Sequence, residues 1–283
     1  MAINSINQKK WSEIFTKKVG NLLYLYLLWG GIQWLFIKGI ITNISNQELS
    51  DSVNSAYSKD IIEFFFNLAT ALTSLWYLYA LAGYFVIAKI FRNEKEKLII
   101  FSFALNYLAA FGYFPGWGLT SLAQNMIFFL LGVFFSSAII KLSRFKKENY
   151  LIWIAILALV ILNVYIGVYK NLFTSLMAIV LSIIVCDVLN SIVNMSWLNW
   201  IGRNTLQIYV IHRIYIEILG LSVLTIGVGF HFFDNKLFSF SYSAFFPLVA
   251  VVVCTLASIV TWKIINRGFG RSLFAYPSII SQK

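Results

Sequence analysis

Apolar residues come in long runs broken by short polar joints. Eight runs, at 20–42, 63–89, 97–114, 119–140, 150–169, 171–190, 204–228 and 243–265, are each close to the ~20 residues that an α-helix needs to cross ~30 Å of hydrocarbon. None shows the alternation, every second residue over about ten positions, that marks a membrane barrel strand. Helices are then the architecture that satisfies the backbone in lipid, and the fold expected is an all-α, polytopic transmembrane bundle of about eight helices. The first run follows Lys9, Lys10, Lys17 and Lys18, but it is too long for a signal peptide and no small-residue cleavage site follows it, so it is read as a span.

Composition agrees with that pattern. Of the 283 residues, 60% are hydrophobic and only 12% charged, well outside the soluble globular range. Repeats and low-complexity tracts are lacking, and residues 1–283 are read as a single membrane domain. Cys186 and Cys254 both sit in apolar runs and only two His residues occur, which argues against a disulfide framework and against a metal site.

The net charge of +11 raises the question of a nucleic-acid partner, and the placement of the charges answers it. Joints on the amino-terminal side hold 17 of the 22 basic residues: Lys9, Lys10, Lys17, Lys18, Lys89, Arg92, Lys95, Lys97, Lys141, Arg144, Lys146, Lys147, Arg203, Lys263, Arg267, Arg271 and Lys283. The opposite side holds four, Lys38, Lys59, Lys170 and Lys236, and Arg213 lies inside a helix. This bias follows the positive-inside rule, so both termini are expected in the cytoplasm. It also accounts for the basicity through the bilayer and its anionic headgroups, without a nucleic-acid partner. Residues 43–62 form the longest connector on the outer side, read either as a solvated link or as a cap over an opening.

Against this background the run "WIGRNTLQIYVIHRIYIEIL" (200–219) stands out, because it carries charge where charge is expensive. Nine residues beyond Arg203, about 13 Å along a helix, His212 falls near the middle of the hydrocarbon. Thr205, Tyr209, His212, Arg213 and Glu217 fall within about 140° of the helix circumference and share one side. Two readings of that side stand. In one, Arg213 and Glu217, spaced four apart, are an ion pair that fixes packing; yet Arg before Glu is the weaker order for helix stabilisation. In the other, the preferred one, His212 and Arg213 line a cavity through which a polar substrate passes, His212 as a proton acceptor or donor and Arg213 as a fixed cation, with Glu217 holding Arg213. Trp76 and Tyr77, with Tyr79, are expected halfway along the second helix, where their polar atoms need partners and can face the same cavity or pack between helices. Gln124 and Asn125 in the fourth helix, and Asn67 with Thr70 in the second, add candidate hydrogen-bonding groups.

The same stretches carry a family resemblance. "WLNWIGRNTLQIYVIH" (197–212) resembles the late-helix signature of the bacterial acyltransferase 3 family of inner-membrane O-acyltransferases and sugar O-acetylases. "TSLWYLYALAGYFVIAKIF" (73–91) is similar to that family's Leu-Trp-aromatic-Leu helix, "NMIFFLLGVFFSS" (125–137) to its later aromatic-Gly helix, and "KKWSEIFTKKVGNLLYLYLLWGGIQWLF" (9–36) to the run into its third membrane helix. The resemblance implies a multi-pass protein of the bacterial inner membrane. It implies a cytoplasmic donor, acetyl-CoA or another acyl-CoA, used as a co-substrate and not held as a tightly bound cofactor. The acyl group would pass to a hydroxyl of a carbohydrate or other envelope molecule. His212 and Arg213 would then serve catalysis, and Tyr209, Glu217, Trp76, Tyr77, Gln124 and Asn125 would line the substrate cavity.

The resemblance also implies two earlier helices carrying a basic residue and a His about ten positions apart. No His precedes position 212 here, so that base is carried over onto no residue, and the chain by itself is expected to transfer acyl groups weakly or not at all. A noncatalytic remnant or assembly partner, and a small-molecule transporter, are the alternatives; paired, Gly/Pro-broken helices in two related halves, often a mark of transporters, are not seen.

Overall fold

A computed structural model describes residues 11–41, 53–143, 150–168, 172–231 and 234–277. Lys9, Lys10, Arg144, Lys146, Lys147, Lys170 and Lys283 of the charge count lie outside the described residues, as do residues 43–52 of the long connector. Among the described residues there is no strand. The described parts of the apolar runs are mainly helical: α1 (Gly20–Phe36), α2 (Ile61–Ala69), α3 (Trp76–Ile90), α4 (Lys95–Ala110), α5 (Gly116–Phe134), α6 (Ser136–Ser143), α7 (Tyr150–Tyr165), α8 (Leu172–Ile192), α9 (Ser196–Arg203), α10 (Thr205–Gly229) and α11 (Lys236–Ile265). Among the described residues five helical stretches, Trp11–Gly39, Gly116–Phe134, Leu172–Ile192, Thr205–Gly227 and Phe238–Ile265, are long and apolar enough to cross a membrane. The polytopic helical bundle expected from the hydropathy pattern is therefore what the chain forms. Helices α3 and α7, at 15 and 16 residues, are apolar but short: at 1.5 Å per residue they reach about 24 Å.

Two expectations are corrected. The run 119–140 divides at Phe135, between α5 and α6. The run 63–89 is not a continuous helix; it breaks between α2 and α3 at Thr70–Leu75, where Ala71 takes a left-handed φ of 57°. Trp76 and Tyr77 therefore open a helix instead of lying halfway along one. Hydropathy gives no warning, since the break contains neither Pro nor Gly, although Thr70, Thr73 and Ser74 place three hydroxyls within it. Thr73 is fully buried, and its hydroxyl accepts the Leu75 N–H at 3.3 Å.

The chain divides into two compact units. The first comprises 1–22, 70–72 and 76–199. Its core packs α3 against α5, with Ala80, Tyr84, Ala88, Met126, Leu130 and Val133 buried. Small residues at 80 and 88 let the two helices approach, the usual device where lipid supplies no hydrophobic drive. Tyr84 donates its hydroxyl to the Leu122 carbonyl at 2.6 Å, and Asn106 its amide to the Gln124 carbonyl at 2.7 Å. The second unit comprises 23–69, 73–75 and 200–283, with α1, α2, α10 and α11 as its helices. There the turn Gly268–Leu273 docks on α1, as Tyr24 and Trp29 donate to the carbonyls of Ser272 and Leu273 at 2.8 and 2.7 Å.

Gly118, buried in the first unit, explains how the break is tolerated on that side. A Cβ at this position would lie 2.4 Å from the Thr70 carbonyl oxygen and 2.8 Å from the Ala71 carbonyl. Gly118→Ala should therefore displace the break and destabilise the fold by about 1–3 kcal/mol. Gly132→Ala, where nothing lies within 4 Å, should be neutral or slightly stabilising. Thermal unfolding of the two variants in detergent, followed by tryptophan emission, checks the contrast.

Candidate functional site

The polar side of α10 projects within the second unit. Between α9 and α10 the helix pauses at Asn204, whose side chain bonds back to the Trp200 carbonyl at 2.8 Å while Thr205 bonds to the Gly202 carbonyl at 2.8 Å. From there α10 runs uninterrupted through Tyr209, His212, Arg213 and Glu217.

His212 donates from Nδ1 to the Tyr209 carbonyl at 2.6 Å, and its ring stacks on the Tyr209 ring at a centroid distance of 5.5 Å. A carbonyl oxygen only accepts, so Nδ1 carries hydrogen and, in the neutral ring, Nε2 holds the free lone pair. Tyr209 is itself anchored: its hydroxyl donates to the Ser74 carbonyl, at the helix break, at 2.6 Å. The Ser74 hydroxyl donates to Gln33 Oε1 at 2.8 Å, and Gln33 Nε2 donates to the Val210 carbonyl at 3.1 Å. One closed network thus joins α1, the break and α10 through Gln33, which is only 1% exposed.

His212 and Tyr209 line a cavity of about 280 Å³ between α10 and α11. Its other polar groups are Thr205 and Thr255; Ile208, Ile216, Val251 and Cys254 make its wall apolar. Nearby, Tyr215 and Thr261 pair through their hydroxyls and tie α10 to α11.

Arg213 does not line that cavity. It forms an ion pair with Glu217, and Nη2 donates to the Tyr57 hydroxyl at 2.7 Å. Tyr57 in turn donates to Glu217 Oε1, and its ring centroid lies 5.6 Å from the guanidinium carbon. Tyr57 ends the one-turn helix Ser55–Tyr57, which begins where the Asn54 side chain accepts the Ala56 N–H at 3.0 Å. The segment is tied down further: the Ser58 carbonyl accepts from Trp34 at 2.9 Å, the Ser58 hydroxyl from Asn67 at 3.0 Å, and the Lys59 carbonyl from Lys38 at 2.7 Å. Burial, and then the hydrogen bond to Glu217, push the Tyr57 phenol up to about 12.

The structure brings Tyr209, His212, Arg213 and Glu217 into one unit, split between two neighbourhoods. Trp76, Tyr77, Gln124 and Asn125 belong to the other unit. There Tyr77 is 46% exposed, and Asn125 bonds to the Ser121 carbonyl of its own helix at 2.8 Å. Gln33, Tyr57 and Ser74 were missed by sequence reasoning. Gln33 had a signal, as a lone amide inside "WGGIQWLF"; Tyr57 and Ser74 had none, because a polar connector and a helical serine are ordinary places for such residues. Among the described residues no three of His, Cys, Asp and Glu come together as a metal site would require, and Cys186 and Cys254 are free thiols.

Two outcomes follow from this geometry. Gln33→Leu strands the Ser74 hydroxyl and removes a donor from the Val210 carbonyl, and should cost about 1–3 kcal/mol in thermal or denaturant unfolding, more than Asn125→Leu. Because the Tyr57 phenol is raised from an ordinary 10.0, its contribution to stability is complete below about pH 10 and is lost as pH climbs toward 12. Unfolding curves of the wild type and Tyr57→Phe should therefore draw together across that interval, with the phenolate absorbance of the wild type reporting the titration.

The acyltransferase 3 family, described as an acyltransferase domain, matches residues 1–276. Inner membrane protein YcfT of Escherichia coli strain K12 is 29% identical over 282 residues, covering 97% of this chain and 77% of YcfT. No solved structure matches the chain. The resemblance carried by the 73–91, 125–137 and 197–212 stretches thus extends over nearly the whole polypeptide, and this membrane-spanning chain belongs to the acyltransferase 3 family.

Proposed function

We propose that the protein transfers an acyl group, acetyl in the simplest case, from a cytoplasmic acyl-CoA to a hydroxyl of a carbohydrate or other envelope molecule. Its place would be the bacterial inner membrane, the location that the name of its relative YcfT carries. Both termini would be cytoplasmic, as the distribution of basic residues favours.

The observation that carries this reading is His212. A histidine well along a membrane-spanning helix, with Nδ1–H committed to the Tyr209 carbonyl, lines a cavity large enough for several non-hydrogen atoms of substrate. Structural packing alone gives little reason to keep an imidazole in that wall. In the proposed step Nε2 takes the proton of the acceptor hydroxyl as its oxygen attacks the thioester carbonyl. The C–S bond then breaks, and the departing CoA thiolate recovers the proton as thiol. Tyr209 holds the imidazole through its carbonyl and its ring. Arg213 takes no part in the cavity wall, so a role for its charge in steadying the oxyanion has no support in the geometry.

The test is transfer of label from acetyl-CoA to envelope carbohydrate in vesicles bearing the protein. However slow the wild-type rate, His212→Ala should lower it by about 10²–10⁴, the usual contribution of a positioned base. Undiminished transfer in His212→Ala removes the assignment. Gradient-driven uptake of a sugar with no acyl product favours transport instead.

A further inference from the structure

The Tyr57 hydroxyl makes two bonds that say what else the same place would accept. It receives a hydrogen bond from the Arg213 guanidinium and gives one to the Glu217 carboxylate. Any alcohol has that capacity, one O–H to give and lone pairs to receive, and both bonds are of the strong, charge-assisted kind. Three further features bear on what fits. Arg213 and Glu217 together are electrically neutral, so an anion there would meet the carboxylate and a cation the guanidinium; a neutral hydroxyl meets neither penalty. Arg213 Nε is buried and bonds to nothing among the described residues, which leaves a donor for a second oxygen close to the first. Finally, Tyr57 stands on a three-residue turn whose neighbours Ser58 and Lys59 are held by Trp34 and Lys38, so rotation of its side chain, with the backbone in place, is enough to vacate the position.

We propose that Arg213 and Glu217 form a subsite for the hydroxyls of a neutral polyol acceptor, and that the Tyr57 hydroxyl occupies the subsite in the acceptor's absence. The proposal rests on reading the acceptor as a hydroxyl-bearing molecule. It adds the class, a polyol with at least two neighbouring hydroxyls, of which those held here are distinct from the one presented to His212. It also explains why a pair in the less favourable helical order is kept inside a membrane helix.

Binding of methyl glucoside to the purified full-length chain, read by tryptophan emission, tests the proposal without requiring any acyl transfer. Tyr57→Ala removes the competing hydroxyl and the ring, and should tighten binding by about tenfold, the equivalent of one charge-assisted hydrogen bond no longer displaced. Adding Glu217→Gln should return the affinity to the wild-type level. If Tyr57→Ala does not fold, Tyr57→Phe, which keeps the ring over the guanidinium, should show a smaller tightening of the same sign. Unchanged or weaker binding in a folded Tyr57 variant overturns the proposal, as does a gain that survives Glu217→Gln; failure of both variants to fold makes Tyr57 a strut and overturns it as well. Tighter binding here, together with no transfer of label from acetyl-CoA in the vesicle assay, leaves the subsite standing and removes the transferase reading instead.

Discussion

A peptide carbonyl left without a partner in hydrocarbon costs several kcal/mol, and that cost organises the second unit. When the chain leaves the helix after Ala69, the carbonyls on its flanks lose their ladder. Tyr26 reaches the Leu68 carbonyl at 2.7 Å and Tyr209 the Ser74 carbonyl at 2.6 Å. Both donors are tyrosines, whose rings remain apolar while a single hydroxyl at the tip supplies the bond. The break is thus held by two helices distant in sequence, and in return it fixes Tyr209, whose carbonyl orients His212.

That exchange links folding to chemistry. A break in a membrane helix is tolerated where protein covers it, and the groups that cover it are polar residues held in known orientations. Gln33 shows the economy of the arrangement, because its amide uses one end on Ser74 and the other on α10. The imidazole that results is positioned by a stacked ring and a backbone carbonyl, without any ionised partner at Nδ1. Such a setting fixes the tautomer and leaves Nε2 available, which is what the proposed role of His212 requires.

The charged residues of α10 follow different physics. Arg213 and Glu217 neutralise each other on one helix, but a guanidinium has more donors than one carboxylate can take. A residue from the connector takes one more of them: the Tyr57 hydroxyl bridges the two and its ring lies against the cation. The connector segment is long in sequence but tightly held near its end, by Trp34, Lys38 and Asn67, so its role exceeds that of a solvated link. The two neighbourhoods on α10, an apolar-walled cavity around His212 and a neutral polar trio around Arg213, divide between them what one chamber was expected to hold.

The helical class, the apolar runs and the family were legible in the sequence because each depends on local composition: ~20 apolar residues specify a span whatever packs beside them. His212, Arg213 and Glu217 were legible for the complementary reason, since an ionisable residue in such a run is rare enough to mark itself. The break at Thr70–Leu75 was not, because no local residue demands it; within the second unit it exists where Tyr26, Tyr209 and Gln33 pair with what it exposes. For the same reason the separation of Arg213 from the His212 cavity, and the recruitment of Tyr57, were decided by tertiary structure alone. Adjacent residues on a helix point about 100° apart, and which neighbour each meets is set by the helices and connector around it, not by the helix that carries them.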